Sequence, residues 1–226
     1  MSEVRLPSET QTEFNLRRWE EILADRTLRD YPGKIETDRY GNIIVSPAKV
    51  THFDRQFRIG RTLEDLMARG RVSFGPGVST REGNKIPDVS WRSGERVEAE
   101  TEDQSLVTIV PEICVEILSR SNTGKEMHEK RLLYFSEGAQ EVWLCDAHGE
   151  MTFYYKGGEL ERSSLCPEFP KVVELVRRAE PSGKSKTPVA RENDVNRELK
   201  RSRRSTEPAH REREKPDPAK DKSPEC

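Results

Sequence analysis

The stretch Glu112–Leu118, EICVEIL, constrains the fold more than any other part of this chain. Side chains alternate across a strand, so Ile113, Val115 and Ile117 point one way while Cys114, Glu116 and Leu118 point the other. Both sides are largely apolar, and Ile, Val and Cys in a continuous run suit the middle of a sheet. A polar turn from Ser119 to Gly124 follows. The spacing then predicts a helix over Lys125–Glu137, with Met127, Leu132, Leu133 and Phe135 as apolar positions and Gly138 as its stop. Glu141–Asp146 reads as the next strand. Strand, helix and strand in that order make a mixed α/β (α+β) fold with a helix inserted between central strands.

The flanking segments extend this pattern. Phe14, Leu16, Trp19, Ile22 and Leu23 predict one helix over Glu13–Leu28. Ile35 and Ile43–Val45 form the arms of a hairpin turned at Tyr40-Gly41-Asn42. A second helix runs over His52–Arg69, followed by strands at Arg71–Phe74 and Asp88–Trp91 and a polar loop from Arg92 to Gln104. Met151–Tyr155 pairs with or follows Glu141–Asp146, and Gly157-Gly158 makes a hairpin turn.

Hydrophobic residues make up only 32% of the 226 residues and charged ones 35%, and the apolar deficit is concentrated at one end. Residues 177–226 contain no aromatic side chain and cannot bury enough apolar area to offset their ordering entropy. The expectation is one domain over 1–176 and a disordered charged tail over 177–226. The tail carries 15 Lys+Arg against 10 Asp+Glu, a charge of +5, and the remainder 24 against 31, a charge of −7. A tail of that charge is expected to add loose, salt-sensitive attraction to polyanions such as nucleic acid. Truncation after residue 176 should leave the thermal midpoint unchanged and weaken polyanion affinity at low salt. A large fall in the midpoint, or an unchanged affinity, contradicts this.

No apolar run is long enough to cross a bilayer, and MSEVRLPSETQTEF has no signal-peptide core, so a soluble, cytoplasmic protein with no membrane partner is expected. Cys114, Cys145, Cys166 and Cys226 include no metal-binding CxxC pair and read as small hydrophobes in a reducing compartment.

Glu116 is the chemical anomaly. A carboxylate inside an apolar strand is costly unless a cation, a donor or a metal meets it. Asp88, in IPDVSW, heads the other acidic strand. The helix after Glu116 offers Lys125, Lys130 and Arg131. Two carboxylates, a metal and a lysine are the parts that phosphodiester hydrolysis needs: hard oxygen ligands hold Mg²⁺, which polarises the phosphoryl oxygen and activates water. An equally economical reading is a structural Glu116–Lys130 pair across a strand–helix contact.

IETDRYGNIIVSP, then His52, then IPDVSW, then PEICVEILSRSNTGKEMHEKRLLYFSEGAQEVWLCD together resemble the Uma family of restriction-endonuclease-like proteins, within the PD-(D/E)XK nuclease superfamily. The resemblance spans Glu13 to Tyr155. It implies a nuclease-like mixed central sheet flanked by helices, and a Mg²⁺- or Mn²⁺-dependent endonuclease that hydrolyses DNA. It places the superfamily's Asp at Asp88 and the Glu of its E-x-K element at Glu116, both as metal ligands. Leu118 stands where the Lys of that element is expected, and the resemblance moves the role to Lys130. Glu36 matches a recurrent acidic position that could approach the same metal, and Gln56 a polar position of the second helix. Relatives often carry an acidic residue near the end of the strand before Pro87-Asp88, where Gly75 stands here. Ser119 and Ser121 are candidates for phosphate or water contacts, against a local role as helix-start caps together with Asn122 and Thr123. His52 matches a family position, or a hydrogen-bonded helix start. Duplex symmetry invites a homodimer. The alternative function is a nuclease fold that has lost catalysis and serves as a nucleic-acid-binding or interaction module.

Overall fold

The computed structural model describes residues 9–47, 50–100, 104–119 and 122–174. The chain opens with helix α1, Gln11–Ala24, started by a capping box in which the Thr10 hydroxyl accepts from the Glu13 N–H and the Glu13 carboxylate accepts from the Thr10 N–H. The single helix expected over Glu13–Leu28 is in fact two. The Asp25 carboxylate accepts from the Thr27 and Leu28 N–H groups at 2.8 and 3.2 Å, ending α1 and starting the short α2, Arg26–Arg29. A short acidic side chain that competes for backbone donors favours such a cap over a helix interior.

The predicted hairpin forms. Strands β1, Gly33–Thr37, and β2, Ile43–Pro47, pair antiparallel with Ile35 opposite Val45. Asp38 holds the turn by accepting from the N–H groups of Tyr40 and Asn42, each at 2.9 Å. Helix α3, Val50–Leu66, follows, then β3, Arg71–Phe74.

A hairpin that the sequence does not announce comes next: β4, Val78–Thr80, and β5, Gly83–Lys85. It has no apolar alternation because, Val78 apart, its buried side chains are polar and matched to α1. Asn15 donates to Ser79 Oγ at 2.9 Å and to the Thr80 carbonyl at 2.8 Å, and Asn84 donates to the Asn15 carbonyl at 3.1 Å. Its turn needs glycine, since Gly83 has φ +92° and a Cβ there would stand 2.4 Å from the Asp38 carbonyl oxygen.

Strand β6, Val89–Arg92, leads to a short helix α4, Gly94–Glu98, inside the segment expected to be loop. Then come β7, Ile113–Ile117, α5, Gly124–Ser136, β8, Glu141–Cys145, β9, Met151–Tyr155, and β10, Gly158–Leu160. The main sheet has six strands in the order β10-β9-β8-β7-β6-β3. β7 and β8 are parallel and joined by α5, and the other pairs are antiparallel. The architecture is therefore a mixed central sheet flanked by helices.

β7 is buried along its whole length, as a two-faced apolar strand should be. Ile113, Val115 and Ile117 enter one core with Trp143 and Phe153 from the sheet and Ile59 and Leu63 from α3. Cys114 enters the opposite core with Val142 and with Tyr134 and Phe135 from α5. Leu132, expected to face inward, is 51% exposed, and Tyr134 is fully buried in its stead. Cys114, Cys145 and Cys166 are free and buried. Among the described residues no helix is long and apolar enough to cross a membrane. The expected tail, and with it Cys226, lies outside the described residues.

Candidate functional site

β6 and β7 bring the two predicted carboxylates together. Val89 opposes Val115, so Asp88 falls just before β6 at the level of Glu116. The Asp88 N–H donates to the Val115 carbonyl at 2.9 Å. Its carboxylate then takes the place of a backbone acceptor, with Oδ2 accepting from the Ile117 N–H at 2.7 Å. The Asp88 carbonyl accepts from the Gly75 N–H at 3.0 Å and from the Gln56 side-chain amide. Gln56, on α3, thus braces the main chain of Asp88. Gly75 has φ +60°, a conformation that favours glycine, and it borders the site directly.

Glu116 is held from α5. Its Oε1 accepts from Lys130 Nζ at 2.9 Å and from the Tyr134 hydroxyl at 2.9 Å. Lys130 and Tyr134 are one helical turn apart, hence on one face. Lys130 Nζ also donates to Glu36 Oε1 at 2.8 Å, and that oxygen accepts from the Ile86 N–H at 2.8 Å. Glu36 therefore enters the cluster through Lys130.

Each carboxylate has one oxygen fixed in this way, and the other turns toward a common position. Lys34 Nζ, from β1, lies there, 2.5 Å from Asp88 Oδ1 and 3.4 Å from Glu116 Oε2. His52 Nε2, from the first turn of α3, is 2.7 Å from the same Asp88 oxygen. Although two groups approach it, Asp88 Oδ1 is buried without a hydrogen bond of good angular geometry. Both Asp88 and Glu116 are almost fully buried, at 1% and 5% exposure.

The charges support one another. Burial alone would raise the Asp88 pKa, but His52 and Lys34 outweigh it and hold the carboxyl below its ordinary value. Burial would depress Lys130, but Glu116 and Glu36 outweigh it and push the ammonium well above the usual lysine range. Lys130 is accordingly a cation at neutral pH and no proton acceptor. The Tyr134 phenol is pushed far up by burial and by Glu116, and stays a neutral donor.

Other buried carboxylates in the protein are built differently. Glu141 accepts from Trp143 Nε1 at 2.7 Å, Ser163 Oγ at 2.7 Å and the Ser164 and Leu165 N–H groups. It is a structural clamp on a loop. Glu112 similarly ties down Ser93 and Arg96.

Asp88, Glu116, Lys130, Glu36 and Gln56 thus fall in one neighbourhood. Ser119 is engaged in the turn after β7, where its N–H and hydroxyl both donate to Asn122 Oδ1 at 2.8 Å. The cap of α5 is Thr123, not Ser119. Ser121 lies outside the described residues. Lys34 and Tyr134 were not among the sequence candidates. The spacing of Lys130 and Tyr134 on one turn was the available signal for the second, whereas Lys34 sits at the start of a hairpin strand with nothing local to mark it.

The donor set suits a small hard cation. No group of three or more His, Cys, Asp or Glu side chains among the described residues is arranged to hold a metal. Two carboxylate oxygens converging on one cation nevertheless fit Mg²⁺, which commonly takes one or two protein carboxylates and leaves its other positions to water and phosphate.

No curated protein matches the chain in sequence. Among solved structures, the fold is similar to a crystal structure titled as “a putative nuclease belonging to DUF820” from Anabaena variabilis ATCC 29413. The TM-score is 0.54 at 18% identity, over 62% of this chain and 88% of that one. A family model described as “Putative restriction endonuclease” matches residues 19–177, and the chain belongs to that family, Uma2.

Proposed function

We propose that this protein is a divalent-metal-dependent endonuclease of the PD-(D/E)XK type that hydrolyses DNA phosphodiester bonds. The observation that carries the reading is the division of labour within the two carboxylates. Asp88 and Glu116 each have one oxygen pinned by protein donors and one directed at a shared cation position. Membership of a family described in restriction-endonuclease terms supports DNA as the substrate class.

In this reading Asp88 and Glu116 hold Mg²⁺ or Mn²⁺. When bound, the metal polarises a phosphoryl oxygen and lowers the pKa of an attacking water. The water oxygen would bond to phosphorus and give up a proton to solvent, while the phosphorus–oxygen ester bond breaks and the leaving alkoxide oxygen takes a proton from solvent. Lys130 does the work of the lysine missing at Leu118. Its ammonium is held by Glu36 and Glu116, so it keeps its proton and stabilises negative charge that develops on the phosphoryl group. Tyr134 fixes Glu116, and Gln56 fixes the backbone of Asp88. Glu36 serves by holding Lys130.

A supercoiled-plasmid nicking assay tests the proposal. Conversion to nicked or linear forms is expected with Mg²⁺ or Mn²⁺ and is abolished by EDTA. Plasmid that stays intact with both metals rules out the catalytic reading. Gel-shift binding under the same conditions would then favour a nucleic-acid-binding module on a nuclease fold that has lost catalysis.

A further inference from the structure

We propose that Lys34 is a built-in counter-cation: its ammonium fills the position between Asp88 and Glu116 in the metal-free protein and must leave when a divalent metal binds. The inference rests on the preceding reading that these two carboxylates form a metal site, and it adds a determinant of that site's affinity.

The geometry makes the two cations mutually exclusive. The only oxygens of Asp88 and Glu116 not pinned by Ile117, Lys130 or Tyr134 are Asp88 Oδ1 and Glu116 Oε2, and Lys34 Nζ stands 2.5 and 3.4 Å from them. Mg²⁺ bonds carboxylate oxygen at about 2.0–2.1 Å. An ammonium already that close to both oxygens occupies the volume a metal needs, and it repels the metal's charge. A lysine contributes one positive charge where two carboxylates can take two, so exchange is favourable in charge once metal is present.

Lys34 is also the group able to move. It belongs to the two-stranded β1–β2 sheet, separate from the six-stranded sheet that fixes the carboxylates. Its side chain is 26% exposed, against 14% for Lys130, which is clamped by Glu36 and Glu116 together. Four rotatable bonds let its ammonium swing toward water while its backbone stays in the hairpin. His52 need not leave, because a carboxylate oxygen has lone pairs for both a hydrogen bond and a metal.

The test is metal titration calorimetry with Mn²⁺ on the full chain and on Lys34→Met and Lys34→Gln, with thermal melts in EDTA and in Mn²⁺. Both variants are expected to bind Mn²⁺ about ten-fold or more tighter than wild type, the scale of one close charge pair. They should melt lower in EDTA and show a larger metal-induced rise. Gln keeps a donor for Asp88, so it reports even if Met does not fold without metal. Equal or weaker Mn²⁺ binding by the folded variants overturns the role of Lys34 while leaving the metal site standing. Absence of Mn²⁺ binding in all three proteins overturns both.

Discussion

Asp88→Asn and Glu116→Gln are each expected to abolish metal-dependent DNA cleavage and the stabilisation that metal gives the wild type. At about 100 times its Kd a ligand stabilises a fold by about 2.7 kcal/mol. For a chain of this size that is a rise of roughly 5–11 °C in melting temperature. Both substitutions preserve shape and remove one charge from the two that converge on the cation position. On sequence grounds alone, two buried carboxylates repel each other, and neutralising one should leave the metal-free fold intact or slightly more stable. The structure reverses that sign. Lys34 already lies between them, so neutralising either leaves an ammonium short of a partner. Glu116→Gln should be the more destabilised in EDTA, because Glu116 faces two lysines, Lys34 and Lys130, whereas Asp88 faces one lysine and His52. Differential scanning calorimetry with and without Mn²⁺ gives both results. Wild-type cleavage by either variant, or an undiminished metal-induced shift, sinks the assignment of these residues as ligands.

The parts of the site that were legible in the sequence are those where one residue contradicts its surroundings. Glu116 in ICVEIL is such a residue, since a charge on an apolar face demands a partner. It called for a cation from the following helix, where Lys125, Lys130 and Arg131 were all on offer; the family resemblance singled out Lys130 among them and paired Asp88 with Glu116. The sheet was legible for the same reason that β7 is buried: both faces of EICVEIL are apolar, and a helix joins it to the next strand. Lys34 was not legible. It reaches Glu116 from 82 residues away in sequence, and a lone lysine beside Ile35 at the start of a hairpin strand reads as an ordinary outward-facing strand position. Tyr134 was hidden by the helix it sits on. α5 turns Lys130 and Tyr134 inward to meet Glu116 and leaves Leu132 outside, so apolar periodicity finds the buried Met127, Leu133 and Phe135 but takes Leu132 in place of Tyr134. β4 and β5 were invisible because, apart from Val78, their buried side chains are Ser, Thr and Asn packed with Asn15. Burial satisfied by specific polar partners leaves no pattern along the chain.

Lys130→Ala should lower both stability and turnover, and the two losses separate its roles. Its ammonium is bonded to Glu36 and Glu116 at 2.8 and 2.9 Å in a largely buried setting. Removing it leaves two carboxylates without their shared cation, a cost of about 3–5 kcal/mol. The melting temperature should fall by roughly 6–20 °C, which calorimetry in EDTA will show. Turnover, measured well below that melting temperature, should fall by roughly 10²–10³-fold, the usual effect of deleting one group that stabilises transition-state charge. Metal affinity should hold or rise, because Glu116 loses a competing cation. The pairing cost can be isolated with Glu36→Gln. In Lys130→Ala/Glu36→Gln the carboxylate left behind at Glu36 is neutral, so part of the stability should return, a coupling that a double-mutant cycle measures. Turnover should not return, because the ammonium that stabilises charge on the phosphoryl group is still missing. Recovery of stability without recovery of cleavage marks Lys130 as both a structural partner and a catalytic cation. A folded Lys130→Ala protein that cuts plasmid at the wild-type rate would show that Lys130 only balances the charge of Glu36 and Glu116, and that the lysine missing at Leu118 has no substitute on α5.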